Sequence, residues 1–190
     1  MSNLVKLALL AAICGSTPAM AGPDPDADLR QRLGLGAQDS GVVLSQDKLA
    51  AYFVREFPDR TVHSEIWRIS LTDRKTVPLV RAAPSSDPKR NLVGFLDPRL
   101  SPDSQILYFR TEAWATSTAI HAIDLNTGKI AFVTAGNSLH VVQKGRYKGH
   151  LIVEKHRYYI GGGSYDGLWL VTAGGAELGP VSDIDTVEAN

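Results

Sequence analysis

The stretch HRYYIGGGSYDGLWLV, residues 156–171, gathers residue types that do chemistry. It holds a histidine, an aspartate, three tyrosines, and a serine behind three glycines. Ser, His and Asp are the types of a nucleophilic triad, and glycines beside a serine are the types of a phosphate-cradling loop. Both chemistries need a specific context. A hydrolase elbow requires G-x-S-x-G on a strand-to-helix turn, but Asp166 stands where the second glycine is needed. A phosphate loop ends in Gly-Lys-Ser/Thr at the start of a helix, whereas Leu168, Trp169, Leu170 and Val171 continue as an apolar strand. Gly161-Gly162-Gly163-Ser164 therefore reads as the bend of a β-hairpin.

The five histidines invite metal or acid–base chemistry. His63 and His121 stand apart, while His140, His150 and His156 cluster with Glu154 towards the C-terminus. His150, Glu154 and His156 share one face of an expected strand. Same-face neighbours on a strand lie ~7 Å apart, so three from one strand cannot wrap one ion. No metal and no cofactor is expected. Asp97, Asp103, Asp124 and Asp166 are expected in turns, where short acids cap local amides. An enzyme remains an alternative: a small hydrolase or lyase whose His140, His150, His156 and Asp166 converge at one end of the fold.

The elements that would position these residues repeat. IWRISLTDRKTVPLV from Ile66, IHAIDLNTGKIAFVT from Ile120 and LWLVTAGGAELGPV from Leu168 each read as strand, polar turn, strand. Upstream, VVLSQDKLAAYFVR from Val42, FLDPRLSPDSQILYFR from Phe95 and VVQKGRYKGHLIVEK from Val141 read the same way. The unit is thus four strands, recurring at offsets of 54 and then 48 residues. A strand-only period in that range marks propeller blades. Ile66, Ile120 and Leu168 fall on one face of their strands. Trp67, Ile69, Ile123, Trp169 and Val171 fall on the other, as a sheet buried on both sides demands.

LSPDSQILYF followed by AIHAIDLNTGKIAFVT resembles the repeat of TolB-type β-propellers, in which a Ser-Pro-Asp turn precedes one strand and an Asp-x-x-Thr-Gly turn follows the next. Ser101, Pro102, Asp103, Asp124, Thr127, Gly128 and Lys129 carry the pattern. Ser45-Gln46-Asp47 lacks the proline, and Tyr147-Lys148-Gly149 keeps only the turn. The resemblance covers about residues 42–182 and implies an all-β fold of three propeller-blade-like antiparallel sheets, a half-propeller or open arc. It says little about activity, because such propellers serve as periplasmic scaffolds, enzyme domains and binding platforms. Closed propellers have typically 4–8 blades. Three blades leave unpaired strand edges, so either two chains close a ring as a homodimer or one chain caps its own arc.

Residues 1–21 read as a cleaved signal peptide: Lys6, the apolar run Leu7–Ile13, then Ala19-Met20-Ala21. The expected address is periplasmic or secreted, after cleavage near Ala21. Cys14, the single cysteine, lies in that segment, which would leave the mature chain without a thiol. Residues 22–41 read as a flexible linker with a helical turn or two around Ala27–Leu33. The repeats span about 42–82, 93–135 and 139–182, and 183–190 an acidic tail. Twenty basic residues balance twenty acidic ones, with no basic stripe for nucleic acid and no run long enough to span a membrane. The second-to-third-strand hairpins of the repeats would share one rim. They display Arg110, Trp114, His156, Arg157, Tyr158, Tyr159, Tyr165 and Asp166, with aromatic and Arg types that carry binding energy at interfaces. The reading is a binding or interaction module without enzymatic activity of its own, and its partner a cell-envelope protein or glycan.

Overall fold

The computed structural model describes residues 27–59 and 64–189. The expected signal peptide, the opening of the expected linker and His63 lie outside the described residues. Three four-stranded antiparallel sheets follow one another in chain order. Blade I holds β1 (Asp39–Leu44), β2 (Ala50–Glu56), β3 (Ser64–Ser70) and β4 (Thr76–Val80). Blade II holds β5 (Leu96–Leu100), β6 (Ile106–Trp114), β7 (Ser117–Asp124) and β8 (Ile130–Gly136). Blade III holds β9 (His140–Val141), β10 (Leu151–Tyr158), β11 (Ser164–Val171) and β12 (Glu177–Val181). The architecture is the expected all-β open arc of three sheets.

Apolar side chains alternate along the strands and emerge on both faces, so the blades stack face to face. Between blades I and II, Tyr52, Val54, Ile66 and Val80 meet Phe95, Leu107, Phe109 and Ile123. Between blades II and III, Tyr108 and Ile120 meet Val141, Leu151, Val153 and Val171. The approach is close enough that a Cβ on Gly136 would stand 2.0 Å from Val153 Cγ1. Strands β1, β5 and β9 touch in succession and form the concave side of the arc.

The turns explain how the resemblance motif works. Ser101 Oγ donates to Asp103 and accepts from Ile106 N at 2.9 Å, while Asp103 accepts from Gln105 N at 3.1 Å. Ser45 and Asp47 reproduce these bonds without the proline, with Ala50 N and Leu49 N as donors. Asp124 Oδ1 accepts from Asn126 N and Thr127 N, at 2.9 and 2.8 Å.

The stretch expected as a linker carries helical turns where they were expected and, after them, the start of a strand. Residues Ala27–Leu33 form helix α1, and β1 begins at Asp39. An Asp28–Arg32 pair at 2.9 Å supports the helix. Leu35 N to Arg30 O and Gly34 N to Gln31 O close it, with Gly34 at φ +70°. Leu29, Leu33 and Leu35 then cover Phe53, Ala51 and Ile69 on the outer face of blade I. The expected tail holds a second helix, α2 (Ile184–Ala189), capped by Asp183, which accepts from Thr186 N at 2.7 Å. Ile184 and Val187 cover Ile152 and Leu170 on the outer face of blade III.

What an open arc leaves bare is two end faces, and α1 and α2 lie on them. β1 is the concave-side strand of its blade and β12 the peripheral strand of its own, so the two are not matching edges. Leu33→Ala should cost about 2–3 kcal/mol in urea denaturation, as loss of a buried leucine does. Light scattering over a hundredfold concentration range should find wild type monomeric and the double variant Leu33→Asp, Val187→Asp self-associating. A wild-type dimer would instead favour ring closure.

Candidate functional site

The β10–β11 hairpin is built on an unbroken register from Leu151↔Val171 to Tyr158↔Ser164. Residues 159–163 make the connection, closed by Tyr159 N to Gly163 O and Gly162 N to Tyr159 O, both 3.1 Å. Gly162 and Gly163 hold φ of +95° and +83°, which side-chain-bearing residues rarely adopt. The glycines are a hairpin bend, and a strand follows them.

The stem of this hairpin is anchored. Buried Lys155 reaches Thr134 Oγ1, Ala135 O and Glu177, the last at 3.0 Å, tying blade III to β8. Arg157 also pairs with Glu177, and its guanidinium lies 4.6 Å from the Trp169 ring. Burial works against ionisation of Glu177, but the Lys155 and Arg157 cations outweigh it and hold the carboxyl below its ordinary range. His156 Nδ1 lies 2.8 Å from Asp166 Oδ1, and Tyr158 stands edge-on to the imidazole at 4.9 Å.

The tip is left to solvent. Tyr158 is 70% exposed, Tyr159 58% and Ile160 fully so. Tyr165, at 39%, packs against the Tyr159 ring at 4.9 Å. The tip is thus an aromatic knob around an unprotected isoleucine.

The other rim residues are differently employed. Arg110 clasps Asp97 through Nε and Nη2 and donates to Asn137 O at 2.6 Å, with 15% of its side chain exposed. Arg55 does the same in blade I, bonding Asp39 at 2.7 and 2.9 Å against the Phe53 and Trp67 rings. Asp97 and Asp166 lie in strands, not in the turns expected for them: Asp97, at φ +46° in the β5–β6 bulge, answers Arg110, and Asp166 answers His156 across β10–β11. Trp114 packs edge-on to Phe132 at 6.2 Å. Of the eight rim candidates, the structure brings together His156, Tyr158 and Asp166, and separately Tyr159 and Tyr165. Arg157 turns to Glu177 and Trp169, and Arg110 and Trp114 stand in blade II.

On the concave side a groove of about 630 Å³ runs along β1, β5 and β9. Arg99 and Lys148 line it with no carboxylate among its lining residues. At the β9 end Glu188 of α2 takes up His140 Nε2 at 3.0 Å and Gln143 N at 3.1 Å, contacts that keep its carboxyl low.

Comparison with known proteins places the fold. No family profile and no curated protein matches the chain. Among solved structures, the β-propeller domain of the trilobed protease from Pyrococcus furiosus matches with a TM-score of 0.51 at 13% identity, over 70% of this chain and 40% of that one. Pyrococcus horikoshii acylaminoacyl peptidase matches at 0.53 and 13% identity, over 77% and 25%. TolB from Acinetobacter baumannii matches at 0.49 and 16% identity, over 75% and 33%. These sheets are β-propeller blades. The chain spans a quarter to two-fifths of the length of these propeller proteins, and the likeness concerns the fold alone.

Within this propeller arc, the histidines that a hydrolase or lyase would need do not converge. His140 is at the groove beside Glu188, and His156 is on the rim beside Asp166. His150 packs edge-on to Tyr147 before β10 begins, about 20 Å along the strand from His156. No group of three metal-ligating side chains occurs among the described residues, and none of their helices is long and apolar enough to cross a membrane.

The histidine that stands apart in the sequence, in the middle of a strand, is buried. His121, on β7, is 1% exposed, stacked on Phe109 at 5.6 Å and edge-on to Phe132 at 5.9 Å. Its Nε2 has no hydrogen-bond partner among the described residues. Desolvation pushes its pKa down to about 4. A single histidine inside an apolar strand carries no sequence signal for this.

Two outcomes follow. Arg110→Ala should lower stability by about 2 kcal/mol in urea, because it strips Asp97 of its charged donor, whereas Tyr158→Ala should change it by less than about 0.5 kcal/mol. The second concerns pH. An imidazole whose folded pKa is depressed binds its proton more readily unfolded, so His121 favours the fold above about pH 6.5 and loses that contribution as pH falls towards 4. Asp87, Lys89 and Arg90 line a pocket with His121 and Phe132. The urea midpoint should fall across that window in wild type and fall less in His121→Phe. Equal falls in both would remove His121 as the cause.

Proposed function

We propose that this chain is an exported binding module that grips another protein of the cell envelope through its β10–β11 hairpin, with no catalysis of its own. The observation that carries the reading is the tip itself, Tyr158-Tyr159-Ile160-Gly-Gly-Gly-Ser-Tyr165, displayed on a rigid stem. Tyr, Ser and Gly dominate antibody paratopes for a physical reason. Tyrosine offers a large amphipathic surface with two rotatable angles to freeze, while Gly and Ser let the loop adapt. An apolar side chain as bare as Ile160 has no folding role, and a partner would recover its burial, worth about 2 kcal/mol.

The arginines fit this division of labour. Arg55, Arg110 and Arg157 are spent on intramolecular pairs. The partner surface therefore meets aromatic and aliphatic groups, with the His156–Asp166 pair at its margin. Export rests on the N-terminal pattern of Lys6, the apolar run and Ala19-Met20-Ala21.

A photo-crosslinking amino acid placed at position 160, and at exposed Leu178 as a control site, tests the binding reading in intact cells. Position 160 should give one discrete protein adduct, lost when Tyr159 and Tyr165 are changed to Ser, and Leu178 should give none. Identical adducts from both positions, or adducts insensitive to the tyrosines, would overturn it. An adduct that migrates as polysaccharide would reassign the partner to a glycan. Mass spectrometry of the cell-envelope fraction should find a chain beginning at Gly22, and an intact Met1 in the cytoplasm would refute export.

A further inference from the structure

The turn that joins the first two strands occurs once in each blade, and the third copy has changed sign. Blades I and II carry Ser45-Gln46-Asp47 and Ser101-Pro102-Asp103, each with an acid. The blade III turn reads Gln143-Lys144-Gly145-Arg146-Tyr147-Lys148, with three cations and no acid. It keeps its shape through backbone bonds instead, Gly149 N to Val142 O and His150 N to Tyr147 O, both 2.9 Å. All three turns meet at the concave groove of about 630 Å³, which Gln46, Ser104 and Lys148 line together. Gln46 N donates to Ser104 Oγ at 2.9 Å, and this bond ties the first two turns to each other. A cavity of that size lies in the range of small-molecule sites.

The groove is rich in donors without acceptors. Arg99 stands exposed on β5, between β1 and β9, and its one hydrogen bond is a 3.3 Å contact to Pro98 O. Lys148 is also exposed and forms no ion pair among the described residues. The acids of the neighbouring turns are already occupied. Asp47 and Asp103 each accept from a serine hydroxyl and a backbone amide of their own turn. The Asp103 carboxyl is held low chiefly by Ser101, with the Lys148 charge a lesser cause. Val43, Leu100 and Val141 supply aliphatic walls.

A cleft lined by one sign of charge gathers counter-ions. The β9 end shows which kind of anion the groove accommodates, because Glu188 rests there between His140 Nε2 at 3.0 Å and Gln143 N at 3.1 Å. That internal carboxylate answers one end and leaves Arg99 and Lys148 as the open cations. The guanidinium fork matches a carboxylate in shape as well as charge.

We propose that the concave groove binds a small aliphatic polycarboxylate, with one carboxylate at the Arg99 guanidinium and another at the Lys148 ammonium. The hydrocarbon spine lies against Leu100 and Val141. A monoacid answers only one of the two cations, and joining two carboxylates in one molecule makes the second contact intramolecular.

The probes are tricarballylate, glutarate and butyrate, which carry three, two and one carboxylates, with inorganic phosphate as an anion of different shape. All are compared at one ionic strength, because exposed charges are screened by salt. Titration calorimetry gives affinity, and the Arg99 Nε–H resonance of ¹⁵N-labelled protein reports location. Tricarballylate and glutarate should bind at one site about tenfold more tightly than butyrate, as loss of one charge-assisted contact predicts, and should move the Arg99 resonance. Arg99→Gln and Lys148→Gln should each remove about that factor. Lys89→Gln, at an exposed cation outside the groove, should leave the affinities unchanged. Both groove cations are exposed, so neither variant threatens the fold, and unchanged urea midpoints check this. Absence of saturable binding, equal binding of all three acids, phosphate binding as tightly as glutarate, or an equal loss in Lys89→Gln would overturn the proposal. Changing Tyr159 and Tyr165 to Ser should leave these affinities unchanged, so failure here and failure of the hairpin reading are separate results.

Discussion

Everything in this molecule depends on burying both faces of every sheet. A strand that alternates Tyr52 and Val54 with Ala51 and Phe53 sends apolar groups in two directions. A meander of four such strands must be sandwiched, and a neighbour of the same kind does this well. Blade II satisfies the demand twice over, between Phe109 facing blade I and Tyr108 facing blade III. A closed propeller removes its end faces by joining them. An open arc must cover them with something else, and here the two short helices do it with a handful of aliphatic side chains each. Neither helix would be stable alone at seven and six residues. Each exists because the apolar face beneath it rewards the packing, so capping and helix formation are one event.

That coupling explains which features were legible in the sequence. Strand positions were, because period-two alternation and the Ser-x-Asp and Asp-x-x-Thr-Gly turns are local signals. The hairpin bend at Gly161–Gly163 was as well, since both glycine-rich chemistries fail on neighbouring residues. The helices were only half readable: Leu29 and Leu33 four apart suggest a turn of helix, but nothing local says that blade I needs a lid. The clasps Asp39–Arg55 and Asp97–Arg110 were invisible for a different reason. Their partners lie 16 and 13 residues apart, and meet only because the strands pair: Asp39 stands directly across from Arg55, and Asp97 sits in the bulge just past the Leu96↔Arg110 rung. Read alone, Asp97 looked like one more turn-capping acid. His121 was hidden because its meaning depends on Phe109 and Phe132, one from each neighbouring strand.

The rim shows how the same residue types divide between structure and surface. Arginine was a reasonable binding candidate, yet a guanidinium near a buried blade end finds carboxylates and aromatic faces of its own chain first. Arg55 and Arg110 each hold the first strand of a blade to the second, and Arg157 is stacked on Trp169 and paired with Glu177. Tyrosine at a hairpin tip has no such competitor. The tip extends past the last rung of the ladder at Tyr158↔Ser164, and Tyr158, Tyr159 and Ile160 stand exposed there.

The stem decides whether such a tip can bind well. Ordering a loop on association costs free energy for each side chain frozen, and a wandering hairpin loses that much affinity before any contact is made. Here Lys155 is the brake. Its ammonium is buried, and it is held by Thr134 and Ala135 of blade II and by Glu177 of β12. A lysine is seldom buried unless its charge is answered, and this one is answered by groups from two blades at once. It fixes the root of β10 relative to the rest of the arc. Five residues connect Tyr158 to Ser164, and the glycines among them permit adjustment without disturbing the register below. A partner would therefore meet a hairpin whose direction is set in advance and whose last few side chains alone remain to be arranged.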